Sequence, residues 1–281
     1  MTGAGGMLAL DLAPALREVG WVVTALGRDD LDVTDAAQCV AAVDGHDLVV
    51  NAAAYTAVDA AETDEPAAFA VNAVGAANVA HACSRAGARL VHVSTDYVFD
   101  GTATQPYAVD QPVAPRSAYG RTKAAGEWAV RALCRESWVL RTAWLYGAGG
   151  PNFVSTMLRL AGEHDTVSVV DDQVGQPTWT ADLAGLAVRL VAGDAPYGIH
   201  HGTSGGQTTW YGLARRVFAL NGLDPERVLP TTTEAFPRPA PRPAWSVLSH
   251  RSLEQAGIVP IGDWSARIAE FLGQPVSSAR S

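Results

Sequence analysis

Thr2-Gly-Ala-Gly-Gly-Met-Leu-Ala9 opens the chain, and its relation to the segments downstream decides the fold. Glycines at 3 and 6, with a small residue at 9, fit a phosphate-binding turn entering a helix. Glycine lets the backbone approach a pyrophosphate, and a helix N-terminus offers it free amide donors. Such a cluster is weak evidence by itself. Behind it, however, short apolar runs alternate with helical patterns across the first two-thirds of the chain, the signature of a parallel sheet flanked by helices. Strands are predicted at residues 21–26, 47–51, 89–94 and 138–141, and helices at 9–19, 66–85 and 117–133. Each crossover is long enough for a helix, as parallel strands require. The expected fold class is α/β, a Rossmann-type doubly wound parallel sheet.

In that frame Gly3, Gly6, Met7 and Leu8 form the cofactor turn. Only Met1 stands where the central strand should precede it. The expectation is that this first strand is truncated, with Met1 as its last residue and the true start upstream.

After residue 147 the strand–helix rhythm breaks and Gly and Pro become frequent, as in Phe236-Pro-Arg-Pro-Ala-Pro-Arg-Pro243. Residues 1–147 are assigned to a dinucleotide-binding core. Residues 148–281 are assigned mainly to a smaller mixed substrate-binding region, with some segments returning to the core. Helices are predicted at 152–161, 180–191, 209–220 and 264–272, and 236–243 as a docked, extended loop.

Composition narrows the function. With 281 residues, 48% hydrophobic and 17% charged, the chain is an ordinary globular one. A net charge of −9 argues against nucleic-acid binding. No apolar run nears the roughly 20 residues that span a bilayer, and no signal-peptide pattern opens the chain, so no membrane and a cytoplasmic location are expected. Cys39, Cys83 and Cys134 fit neither a disulfide framework nor a zinc motif and read as free thiols. His200-His201 lies in an apolar, strand-like stretch, and no metal is expected.

Of 20 basic residues, one alone is lysine: Lys123. It stands four residues after Tyr119, a spacing that puts both on one helix face. A nearby ammonium lowers a phenol's pKa and makes it a usable proton donor and acceptor. Arginine's broad fork replaces that compact charge poorly. Ser94-Thr95-Asp96 ends a strand, placing Thr95 to hydrogen-bond a reacting carbonyl, with Asn72 in a supporting relay. The second strand ends Ala25-Leu-Gly-Arg28; Arg28 either receives the 2′-phosphate of NADPH or is a solvated surface residue. Asp32 and Val33 are candidates to flank the adenine, and Ala52, Ala53 and Ala54 leave room for a cofactor across the sheet edge.

Tyr-x-x-x-Lys, the strand-end Ser/Thr and the N-terminal glycines resemble the extended short-chain dehydrogenase/reductase superfamily. Five longer stretches are similar to the dTDP-4-dehydrorhamnose reductase family: Asn51-Ala-Ala-Ala-Tyr-Thr-Ala-Val-Asp59, Ser94-Thr-Asp-Tyr-Val-Phe99, Arg141-Thr-Ala-Trp-Leu-Tyr146, Asp172-Gln-Val-Gly-Gln-Pro-Thr178 and Arg242-Pro-Ala-Trp-Ser-Val-Leu248. The resemblance implies reduction of the C4 ketone of a dTDP-linked 4-keto-6-deoxy sugar by NADPH or NADH, in a monomer or homodimer. It makes Tyr119 the proton donor, Lys123 its partner and Thr95 the group that tunes it. Tyr55 and Val93 join the cofactor residues. Thr95, Asp96, Trp144, Asn152 and Arg242 become candidates for the substrate. Some relatives also hold Mg²⁺ through interface carboxylates; Asp11 aligns with one, but Ala181 stands where another is expected. A sugar-nucleotide epimerase or dehydratase needs further acid/base residues. A non-catalytic relative, the regulatory subunit of methionine adenosyltransferase, leaves a binding protein as the other alternative.

Overall fold

The computed structural model describes residues 1–273. The chain runs α1 (Met7–Glu18), α2 (Ala36–Val43), β1 (Leu48–Asn51), α3 (Val58–Ala61) and α4 (Glu65–Phe69). A π-helical turn (Ala70–Gly75) then leads into α5 (Ala76–Ala86), β2 (Arg89–Thr95), α6 (Ala118–Leu133) and β3 (Ser137–Thr142). Next come β4 (Leu145–Tyr146), α7 (Phe153–Glu163), β5 (Val167–Val170), β6 (Val174–Gly175), β7 (Thr178–Trp179) and α8 (Thr180–Ala192). The last third holds β8 (Gly198–His201), β9 (Thr208–Thr209), α9 (Trp210–Leu220), β10 (Val228–Thr231), α10 (Arg251–Gln255) and α11 (Trp264–Gly273).

The main sheet is parallel, in the order β1-β2-β3-β8. Val49, Leu90 and Val139 enter one core cluster while their neighbours Val50, Val91 and Leu140 enter another, the alternation a pleated strand imposes. α2, α5 and α6 cover the first face, and α1 and α8 the second, which makes the sheet doubly wound. Cys39, Cys83 and Cys134, distant in sequence, are free and buried together in the first cluster. Burial pushes the Cys39 and Cys83 thiols up to about 11 and about 12.

The segment predicted as a strand at 21–26 is extended but pairs only at Leu26. Its sheet neighbour is Met1–Thr2: Thr2 bridges both Leu26 and Asn51, and the Leu26 amide donates to the Met1 carbonyl at 2.9 Å. Two residues give a ladder nothing further to pair with. Across the sheet the order is therefore 21–26, 1–2, β1, β2, β3, β8, and the winding reverses between Thr2 and Asn51. Open α/β sheets bind ligands beyond the carboxyl ends of the strands at such a switch point.

The helix predicted at 66–85 forms as one continuous helical run, in which the π turn joins α4 to α5 with helical dihedrals at both junctions. In the second half, the pair β5–β10 and helices α7, α9 and α11 build a separate apolar cluster. α8, β8 and Leu253 of α10 return to the main sheet. The Pro-rich segment forms neither helix nor strand. It docks through buried Ala240 and an ion pair from Arg242 to Asp59 at 2.8 Å.

Candidate active site

The site grows from the end of β2. Thr95 donates its hydroxyl proton to Asp96 Oδ1 at 2.9 Å and accepts from the Tyr97 amide at 3.2 Å. Ser117 caps α6, accepting from the Gly120 amide, and the first turns of that helix carry Tyr119 and Lys123. A Cβ at Gly120 would stand 2.2 Å from the Tyr97 carbonyl oxygen, and one at Gly126 2.2 Å from that of Asn72. Glycine at both positions lets α6 press against the strand end and the π turn.

Asn72 shows what that turn does. Its amide accepts from the Tyr55 nitrogen at 2.8 Å and donates to the Tyr55 carbonyl at 3.1 Å and the Thr122 hydroxyl at 3.0 Å. It ties the loop after β1 to α6, a structural relay beneath the site. π turns of this kind recur at functional sites.

The electrostatics differ from the expectation at Tyr119. Burial pushes its phenol up to about 12; the Thr95 hydroxyl pulls down, and Asp96 pushes up. Lys123 points its Nζ at the Val93 carbonyl, 2.7 Å away, so the ammonium is directed at the strand. Desolvation lowers the lysine to about 8, opposed by the Glu127 carboxylate. Asp96 is raised to about 6 by burial, opposed first by the hydrogen bond that Thr95 donates to its Oδ1, and its Oδ2 is buried without a partner.

Several of the residues expected to hold a cofactor lie at the switch point. Gly3, at φ 71°, lies so close to the end of β1 that a Cβ would stand 2.7 Å from Ala52 C and Ala53 N. Gly6 is the N-cap of α1 and offers no side-chain cap, leaving the first amides, at Met7 and Leu8, for an anion. Ala52, Ala53, Ala54 and Tyr55 are half-buried along the loop after β1. These features fit a dinucleotide pyrophosphate. Arg28 is exposed at the end of the 21–26 segment. Asp32 is exposed and accepts from the Thr34 amide and hydroxyl, while Val33 turns its side chain into the core against Gly75.

On the substrate side, Trp144 takes a left-handed backbone (φ 48°), a conformation that a bulky residue adopts only where its surroundings compel it. Its ring stacks on Trp210 with centroids 3.6 Å apart. Arg242 and Asp59 meet in front of Tyr97, whose ring packs edge-on to Tyr119 at 5.7 Å. Asn152 is engaged elsewhere. It caps α7 and donates to the Gly147 and Gly150 carbonyls at 2.8 and 3.0 Å, so its amide is spent on the fold.

Sequence reasoning did not single out Asp59, Tyr97 or Trp210. The first two lie inside the longer stretches that carry the resemblance; Trp210 gave no signal, since its meeting with Trp144 is purely tertiary. For the interface Mg²⁺ the residues do not fit. Asp11 accepts a hydrogen bond from Thr180, Ala181 packs among apolar neighbours, and no group of three metal-ligating side chains forms among the described residues.

Known proteins resemble this chain over nearly its whole length. The chain is 50% identical over 294 residues to a dTDP-4-dehydrorhamnose reductase of Streptomyces griseus, covering 100% of this chain and 97% of that one. It is 50% identical over 275 residues to a probable dTDP-4,6-dihydroxy-2-methyloxan-3-one 4-ketoreductase of Streptomyces antibioticus, covering 96% and 92%. The crystal structure of a Bacillus anthracis dTDP-4-dehydrorhamnose reductase in complex with NADP superposes with a TM-score of 0.93 at 37% identity, covering 96% of each chain. Residues 1–276 match the family described as the RmlD substrate binding domain, and the chain belongs to that family.

Proposed function

We propose that this protein reduces the C4 ketone of a dTDP-linked 4-keto-6-deoxy sugar with NADPH, NADH being the weaker donor. The observation that carries the reading is the convergence of Thr95, Tyr119 and Lys123 at the end of β2, beside the glycine turn at the switch point. Exposed Arg28 favours NADPH through its 2′-phosphate. Bound there, the nicotinamide supplies the hydride.

The chain's own groups do the rest. A phenol held near 12 is protonated across the neutral range. That suits reduction, in which O4 gains negative charge and a more basic alkoxide takes the Tyr119 proton. Thr95 places the carbonyl oxygen, and the free Oδ2 of Asp96 accepts from a sugar hydroxyl. Lys123, charged below about 8, favours the phenolate left behind and reaches a ribose hydroxyl. Trp144, braced by Trp210, offers an apolar wall for the sugar, and Arg242 a cation for the diphosphate. Every group named belongs to one chain, so the site works in a monomer or in each half of a homodimer. No helix among the described residues is long and apolar enough to cross a membrane, and three buried free thiols suit a cytoplasmic enzyme.

A panel of dTDP-4-keto sugars run with NADPH and NADH, with product stereochemistry read by NMR, tests the reading. Turnover of at least one member with NADPH preferred is expected. If no member oxidises either cofactor, the reductase reading falls and the binding-protein alternative replaces it.

A further inference from the structure

Two turns below Tyr119 and one below Lys123, the same face of α6 carries a third ionisable side chain, Glu127. It is 1% exposed and lies wholly within the protein. Its Oε1 accepts from the Ser94 hydroxyl at 2.6 Å and from Arg141 Nε at 2.9 Å, and its Oε2 from Arg141 Nη2 at 2.7 Å. Arg141, on β3, is itself 1% exposed, donates also to the Val109 carbonyl at 3.3 Å and stacks over Phe99 at 4.9 Å. Taking two charges out of water at this depth brings little net stability, even with good geometry. Such a pair in so costly a place points to a second use.

Its position supplies one. Ser94 stands between Val93, whose carbonyl holds the Lys123 ammonium, and Thr95, which holds Asp96. One carboxylate therefore touches the helix that bears Tyr119 and Lys123, the strand end that bears Thr95, and the next strand. We propose, on the reductase reading above, that Glu127 is a positioning residue of the active site. Clamped by Arg141 and Ser94, it sets the register of α6 against β2 and presents Lys123 with a negative charge one helical turn away.

The other groups around Lys123 leave that role to Glu127. His92 faces it from β2 but is held neutral, its pKa well below the ordinary range through burial and the lysine's own charge. Tyr119, on the lysine's own helix, is a neutral phenol at neutral pH. Arg141 spends its charge on the carboxylate. Desolvation drags Lys123 down to about 8 and Glu127 is the charge that resists it. Without it, the ammonium would give up its proton nearer neutrality.

Lys123 is the only lysine in the sequence, which makes the test direct. Protein grown with lysine carrying carbon-13 at Cε gives one side-chain lysine signal, and its titration reports Lys123 without any substrate. In Glu127→Gln, which keeps the shape and the acceptor for Ser94, the midpoint is expected to fall by on the order of one pH unit. The alkaline limb of kcat/KM should move down with it, costing about five-fold in rate at pH 8, since a midpoint one unit lower leaves correspondingly less ammonium. A residue that only holds the fold would lower activity at every pH and leave the lysine midpoint alone. If Glu127→Gln leaves Arg141 unable to fold around an unpaired charge, the double variant Glu127→Gln/Arg141→Gln takes its place, with a smaller downward shift expected because the guanidinium is lost with the carboxylate. A wild-type midpoint in the folded variant overturns the proposal. Because the titration needs no turnover, an inactive wild-type protein would count against the reductase reading and leave this measurement to decide the role of Glu127.

Discussion

The ammonium of Lys123 donates to the Val93 carbonyl at 2.7 Å, so the lysine is anchored to the strand that carries Thr95. Tyr119, on the same helix, packs edge-on to Tyr97 at 5.7 Å, and the Thr95 hydroxyl pulls its phenol pKa down against burial. Lysine and tyrosine are thus located by separate contacts, and neither position depends on a direct bond between the two.

Replacing Tyr119 by Phe removes the proton donor and keeps the ring that packs against Tyr97. Turnover is expected to drop by about 10²–10⁴, the usual worth of a placed acid, with circular dichroism unchanged. Lys123→Arg should fail to a similar degree, because the pocket around a 2%-exposed ammonium has no room for the wider fork. Near-normal rates in the arginine variant would refute the role given to the lysine.

Lys123 also carries a stability cost. Its folded-state value, about 8, lies below the ordinary lysine value of 10.5, so the native state disfavours the charged form. The cost is present in full below about pH 8, shrinks as pH rises, and vanishes above 10.5. Lys123→Met is therefore expected to be inactive yet to melt a few degrees above wild type at pH 7. The gain should disappear in melts at pH 11.

Two groups bracket the pH profile. Asp96, raised to about 6, accepts at both carboxylate oxygens only once ionised, and Lys123 is charged only below about 8. A bell-shaped kcat/KM with limbs near those values is the expected outcome. In Asp96→Asn the acid limb should vanish and the alkaline one stay. Persistence of the acid limb in that variant would assign it to another residue.

Gly120→Ala forces a methyl to within 2.2 Å of the Tyr97 carbonyl, so the start of α6 must retreat. Overpacking of this kind costs about 1–3 kcal/mol. The rate should fall by more than the stability loss explains, because Tyr119 is the residue next to the displaced glycine. Comparing kcat with the fraction folded at one temperature checks this.

Much of this site was legible in the sequence, and the reasons are physical. Val49-Val50 and Leu90-Val91 mark buried parallel strands because both faces are covered, and the Tyr119–Lys123 spacing is a helical period. Local patterns of that sort survive folding. The features that stayed hidden depend on distant partners. Asn152 looked free for a substrate because its engagement with Gly147 and Gly150 arises only when the loop folds back. The π turn around Asn72 reads as ordinary helix in sequence. The downward pull expected of Lys123 on the phenol is outweighed by burial, which no spacing reveals.

The ion pair between Arg242 and Asp59 joins residues 183 positions apart. During synthesis at about 5–20 residues per second, roughly 10–40 s separate the appearance of its two halves. The glycine turn and the strands around the switch point are made early, and the cation proposed for the sugar's diphosphate, Arg242, is made long after them. A nascent chain can thus shape a place for its dinucleotide long before it can hold a sugar, and the enzyme acquires its two ligand sites in the order in which they were written.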